Sequence, residues 1–114
     1  MRYQNEILPK GMRKISETKL MNQDNILKAL LNKHMSPKRK WAYLVVLSGT
    51  CNFIWEDNPE DVMMADVDHP IIITPERFHR VIVTGDVELK LEFYMYDHDL
   101  AYELDNTAVR LEEY

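Results

Sequence analysis

Short apolar runs rich in β-branched residues return along this chain about every ten residues, each closed by turn formers, and that rhythm limits the fold more than any other feature. Ala42-Tyr43-Leu44-Val45-Val46-Leu47 stops at Ser48-Gly49, and Cys51-Asn52-Phe53-Ile54-Trp55 follows directly, so the two read as a hairpin. Glu56 to Asp61 is polar and reads as a loop. Val62-Met63-Met64 and Ile71-Ile72-Ile73 are short strands, with turn residues from Asp66 to Pro70 between them. His79 to Thr84 and Val87 to Met95 form a further pair around Gly85-Asp86. This spacing predicts an all-β sandwich or barrel.

The ends follow other patterns. Asp24 to His34 has a capping aspartate and apolar residues at Ile26, Leu27, Leu30 and Leu31, so propensity predicts a helix. In the tail, Leu100 and Leu104 stand i,i+4 and suggest a short helical stretch, while Val109 and Leu111 alternate like an edge strand. No linker or repeat divides the 114 residues, so a single domain is expected, with a core over about 7–94 and an acidic extension over 95–114.

Composition removes several function classes. The chain is 46% apolar and 29% charged, which suits a globular domain with a buried core. Its three glycines, Gly11, Gly49 and Gly85, lie too far apart for a dinucleotide fingerprint or a P-loop, so no nucleotide cofactor is expected. A single cysteine, Cys51, excludes a disulfide framework and multi-cysteine metal sites and fits a reducing cytoplasm. In its strand Cys51 reads as a small apolar filler, since thiol chemistry would need it exposed. No apolar run nears the ~20 residues of a membrane helix. Charges at Arg2, Glu6, Lys10 and Arg13 interrupt any signal-peptide pattern.

The net charge of −5 is unevenly spread. Residues 1–40 carry ten Lys/Arg against three acids, +7; residues 41–94 carry three against ten, −7; residues 95–114 carry one against six, −5. Lys38-Arg39-Lys40 beside Trp41 is the one nucleic-acid-like cluster. The acidic remainder would repel phosphate, so an acidic small molecule or oxyanion is the better partner for the basic third.

Four histidines, His34, His69, His79 and His98, carry the remaining chemistry, and none has the i,i+4 spacing of a helical zinc site. Asp97-His98-Asp99 is metal-like in sequence but reads as a solvated turn, and His69 before Pro70 reads as a turn residue. His79 is more informative. A two-residue turn at Gly85-Asp86 would set it opposite Glu92, where the two could share a metal or an acid–base role. A three-residue loop, Thr84-Gly85-Asp86, aligns the apolar faces better and sets it opposite Leu91. A bulge could restore the first pairing.

Leu30-Leu31-Asn32-Lys33-His34, Trp41, Leu44-Val45-Val46-Leu47-Ser48-Gly49, Pro75-Glu76-Arg77-Phe78-His79-Arg80 and Leu91-Glu92-Phe93-Tyr94 stand in a fixed order and spacing, with Ile7-Leu8-Pro9 before them. In this the chain resembles a small bacterial cupin family that includes YeaR and the cupin domain of the tellurite-resistance protein TehB. The resemblance implies a cupin-type double-stranded β-helix, a jelly-roll barrel, and often a homodimer. It also implies that His34 lies in a strand, against its helix propensity. Metal-binding cupins carry two histidines and a glutamate in a first motif and one histidine in a second. Here His34 stands near the leading histidine and Ser36 in place of the second, no glutamate lies between Ser36 and Gly49, and Pro75 and His79 represent the second motif. His69 stands where a glycine is usual.

A divalent zinc, iron, manganese or nickel ion would then rest on His34 and His79 as neutral imidazoles, with Glu92 or Tyr43 completing a ligand pocket. Without a metal, His34 and His79 would be polar lining of a small pocket. The expected role is tellurite or oxyanion stress resistance, the alternatives being a metal-dependent dioxygenase or isomerase and a metal-free sensory module. The glycine-rich loop of a methyltransferase is lacking, so methyl transfer is not expected of this chain.

Overall fold

The computed structural model describes residues 1–106. The expected edge strand at Val109 and Leu111 lies outside them. The strands are β1 (Met12–Glu17), β2 (Met21–Asn22), β3 (His34–Met35), β4 (Trp41–Gly49), β5 (Cys51–Trp55), β6 (Asn58–Ala65), β7 (Ile71–Ile73), β8 (Phe78–Ile82) and β9 (Val87–Tyr96). The helix α1 (Asp97–Asn106) follows β9, in line with the helical tail read from Leu100 and Leu104. Two antiparallel sheets result. The first runs β1-β9-β4-β7, with β2 also on β9; the second runs β3-β8-β5-β6. The all-β expectation holds at this level.

Period-two patterning decides which side chains enter the core. On β9, Val87, Leu89, Leu91, Phe93 and Met95 are buried while the residues between them face outward, and Ala42, Leu44 and Val46 do the same on β4. Phe53, Met63, Val81 and Trp55 of the second sheet belong to the same cluster. Each fully buried large aliphatic or aromatic side chain there contributes about 1.5–3 kcal/mol.

Both expected hairpins are overturned. β4 and β5 follow each other in sequence but lie in different sheets, and so do β8 and β9. The chain crosses between sheets at Gly49 and again at Gly85. His79 therefore faces neither Glu92 nor Leu91, and the choice between a two- and a three-residue turn at Gly85 does not arise. At Gly49 the crossing requires glycine: φ is +74°, and a Cβ would stand 2.1 Å from the carbonyl oxygen of Asp86.

The helix expected from Asp24 to His34 shrinks to a 3₁₀ turn over Lys28–Leu31, and His34 enters β3. Leu30 is fully buried there, so tertiary packing outweighs the local preference. The polar segment Glu56–Asp61 is a loop only at Glu56-Asp57; Trp55 pairs with Asn58, and β6 starts there. β1 carries no clear sequence signal, its core pattern being short and broken by a bulge between Lys14 and Ser16.

Residues 2–4 close the seam between β6 and β7, the end strands of the two sheets. The Arg2 N–H donates to the Val62 carbonyl (3.2 Å) and the Met64 N–H to the Arg2 carbonyl (2.8 Å). The Gln4 amide donates to the Ile72 carbonyl (3.0 Å) and accepts from the Ile72 N–H (2.7 Å).

Candidate functional site: the His34–His79 pair

β3 and β8 place His34 directly opposite His79. The two rings meet edge to face with centroids 5.6 Å apart. His79 is fully buried and His34 half-buried. Phe53 stacks on His79 at 5.4 Å, and Trp55 meets it edge-on at 5.8 Å. The Arg77 guanidinium lies 4.2 Å over the Trp55 ring and forks onto both Asp57 oxygens at 2.9 and 2.8 Å.

The Arg77 carbonyl lies 3.1 Å from His79 Nδ1. A carbonyl only accepts, so the proton sits on Nδ1 and the lone pair on Nε2. Burial pushes the His79 imidazole down to about 4, and burial likewise lowers His34. Both rings are thus neutral at pH 7, offering N–H groups and lone pairs rather than charge.

Two loops meet beside the pair. The Glu76 N–H donates to the Ser36 carbonyl (2.8 Å), and the buried Ser36 hydroxyl donates to the Lys40 carbonyl (2.7 Å). Arg39 (φ 70°) and Glu76 (φ 61°) take left-handed backbone in these loops, a conformation non-glycine residues adopt at a cost. Residues adjoining the histidines in sequence, Lys33, Arg77 and Phe78, line an outer cleft of about 290 Å³ with Glu56, Asp57 and Glu76.

Tyr43 and Glu92 lie elsewhere. They are register partners on β4 and β9, on the side of the first sheet away from the core, and so do not join the histidines. Glu92 accepts from the Tyr94 hydroxyl (2.9 Å) and pairs with Lys14 (3.3 Å) and Lys90 (3.1 Å). Burial works against its ionisation, but the bonds from Tyr94, Lys90 and Lys14 together hold the carboxyl below its ordinary value. Tyr94 is pushed up to about 12 by burial and by its bond to Glu92. Among the described residues no group of three or more His, Cys, Asp or Glu side chains is arranged to hold a metal ion. The structure thus brings two of the expected ligands together, His34 and His79, and leaves Tyr43 and Glu92 on the other sheet.

The remaining sequence candidates are placed as follows. Cys51 is fully buried and its thiol is pushed up to about 12, so it is neither exposed nor a thiolate. His98 is exposed, stacks on Tyr96 at 5.4 Å and lies 3.5 Å from Asp99. His69 bonds Asp66 at 2.7 Å. In the basic cluster Lys40 is buried, and Arg39 pairs with Glu103 (3.0 Å) below the Tyr102 ring. Sequence reasoning missed Phe53 and Trp55 as the walls around His79; their i,i+2 spacing, which puts both on one face of β5, was the available signal.

A TehB-like domain model matches residues 16–91. The chain belongs to the TehB-like family. Its fold is similar to that of TehB from Haemophilus influenzae, with a TM-score of 0.74 and 22% identity over 89% of this chain. The chain spans 37% of that protein's length. A second similar structure, a protein from Escherichia coli strain K12, gives a TM-score of 0.72 and 14% identity over 80% of this chain and 97% of the other. No curated protein matches the sequence. Among the described residues no helix is long and apolar enough to cross a membrane.

Proposed function

We propose that this TehB-like chain is a small cupin-type binding domain whose ligand is received at the His34–His79 end and whose role is resistance to tellurite or related oxyanions. The observation that carries the reading is the cross-strand meeting of His34 and His79 in a ring-walled setting. Two antiparallel sheets joined by sheet-to-sheet crossings support the jelly-roll assignment. An oxyanion brings only acceptors and negative charge. The His34 imidazole supplies an N–H donor and Lys33 at the adjoining cleft supplies positive charge, while the His79 proton is held by the Arg77 carbonyl and Arg77 itself by Asp57.

The test is calorimetric titration with potassium tellurite, paired with tellurite survival of cells expressing the chain. Tellurite should bind the wild type and protect the cells, and His34→Ala, at the half-buried position, should abolish both. Wild-type protein that neither binds nor protects would sink the proposal.

The register pairing also favours a second reading, a divalent ion held by His34 and His79 alone. Stoichiometric zinc, iron, manganese or nickel in purified protein, lost in a His34→Ala/His79→Ala double variant, would decide for it. Substoichiometric metal unchanged by the double variant decides against it.

A further inference from the structure

A second cleft, of about 240 Å³, lies beside residues 4–8 and is lined in part by Tyr43, His69, Leu8 and Pro70. It shares no lining residue with the cleft beside His79. Its surroundings are held in place. His69 is tied to Asp66 at 2.7 Å and stacked on Tyr3 with centroids 3.5 Å apart and planes 11° from parallel. Gln4, also in the lining, bonds both polar groups of the Ile72 backbone. Tyr43 is set by its place in the sheet, with Glu92 and Ile72 as register partners. A ligand entering here would find its surfaces already ordered, which lowers the entropic cost of binding.

The charges of this cleft have one sign. The carboxylates of Glu6 and Asp68 belong to the lining, both residues are exposed, and among the described residues neither enters an ion pair. Arg2, whose charge senses Glu6, is already forked onto Asp61 at 2.8 and 2.7 Å. Two carboxylates outside any ion pair, an aromatic ring and apolar residues in the lining make a site complementary to a cation with an apolar body.

We infer that this cleft binds a small organic ammonium, with its apolar part against Leu8, Pro70 and the Tyr43 ring and its charge between Glu6 and Asp68. The probe is benzylamine, followed by amide chemical shifts of the full chain, with benzyl alcohol as the uncharged counterpart. Benzylamine should give saturable shifts at Leu8, Asp68 and His69. Benzyl alcohol should bind about fivefold more weakly, the order of loss expected when a cation's attraction to a ring and surface carboxylates is removed. A Glu6→Gln/Asp68→Asn variant, altered only at exposed positions, should weaken benzylamine by a similar factor and leave benzyl alcohol unchanged. His34→Ala should leave benzylamine binding unchanged, which separates this site from the histidine pair. Absence of saturable shifts, equal affinity for the two probes, or indifference to the double variant overturns the inference.

Discussion

His34–His79 and Tyr43–Glu92 are both directly opposed pairs on antiparallel ladders, close enough for their side chains to interact, yet they behave as opposites. In the first pair His79 is buried against Phe53 and Trp55 and His34 is half-buried, and burial favours the neutral form of both rings. The second lies on the outer side of its sheet, where Lys14, Lys90 and Tyr94 keep Glu92 ionised. Backbone geometry makes the pairs alike; the side of the sheet decides whether a titratable group carries charge. Recognition chemistry at the first rests on ring nitrogens, and at the second any arriving group competes with an existing ionic network.

The contrast predicts unequal responses to substitution. His79→Ala should cost about 4 kcal/mol of folding stability in urea denaturation, in the range for deleting a fully buried ring. A loss below about 1 kcal/mol, the scale of surface changes, would mean His79 does not occupy the core. The next effect is on pH. The folded His79 value of about 4 lies below the unfolded value of 6.5, so the unfolded chain takes the proton more readily. The stability held above pH 6.5 should therefore fall as pH drops, by a total of about 3 kcal/mol by pH 4. The His79→Gln variant should show a correspondingly flatter profile, and an unchanged profile would remove His79 as the source. Least affected is the outer pair: Glu92→Gln should cost about 0.5–1 kcal/mol and the loss should shrink in high salt. A larger, salt-independent loss would mean that Glu92 is structurally closer to His79 than the contrast allows.

These pairs also show what the sequence makes legible. Alternation on β4 and β9 identifies which residues turn inward, and the all-β reading follows from it. It says nothing about which strand lies alongside. Ser48-Gly49 and Gly85-Asp86 look like hairpin turns because short-range signals cannot distinguish a return within one sheet from a crossing to the other. Both partners that the turn signals offer His79, Glu92 and Leu91, therefore lie in the other sheet, while the family resemblance places His34 in a strand, as observed. Helix propensity in Asp24 to His34 failed for a related reason, since burial of Leu30 is a long-range effect. Cys51 as apolar filler was readable because a strand pattern and one lone thiol leave little else for it.

The seam closed by residues 2–4 has a consequence for the order of folding. Arg2 meets Asp61, Val62 and Met64, and Gln4 meets Ile72, partners some sixty to seventy positions later in the chain. On a ribosome these early residues wait, already synthesised, for strands that do not yet exist. Until they dock, β6 and β7 present open edges to any neighbouring chain. Whatever holds residues 2–4 away from their place, such as a bulky fusion at the N-terminus, lengthens that interval and favours aggregation over completion of the fold.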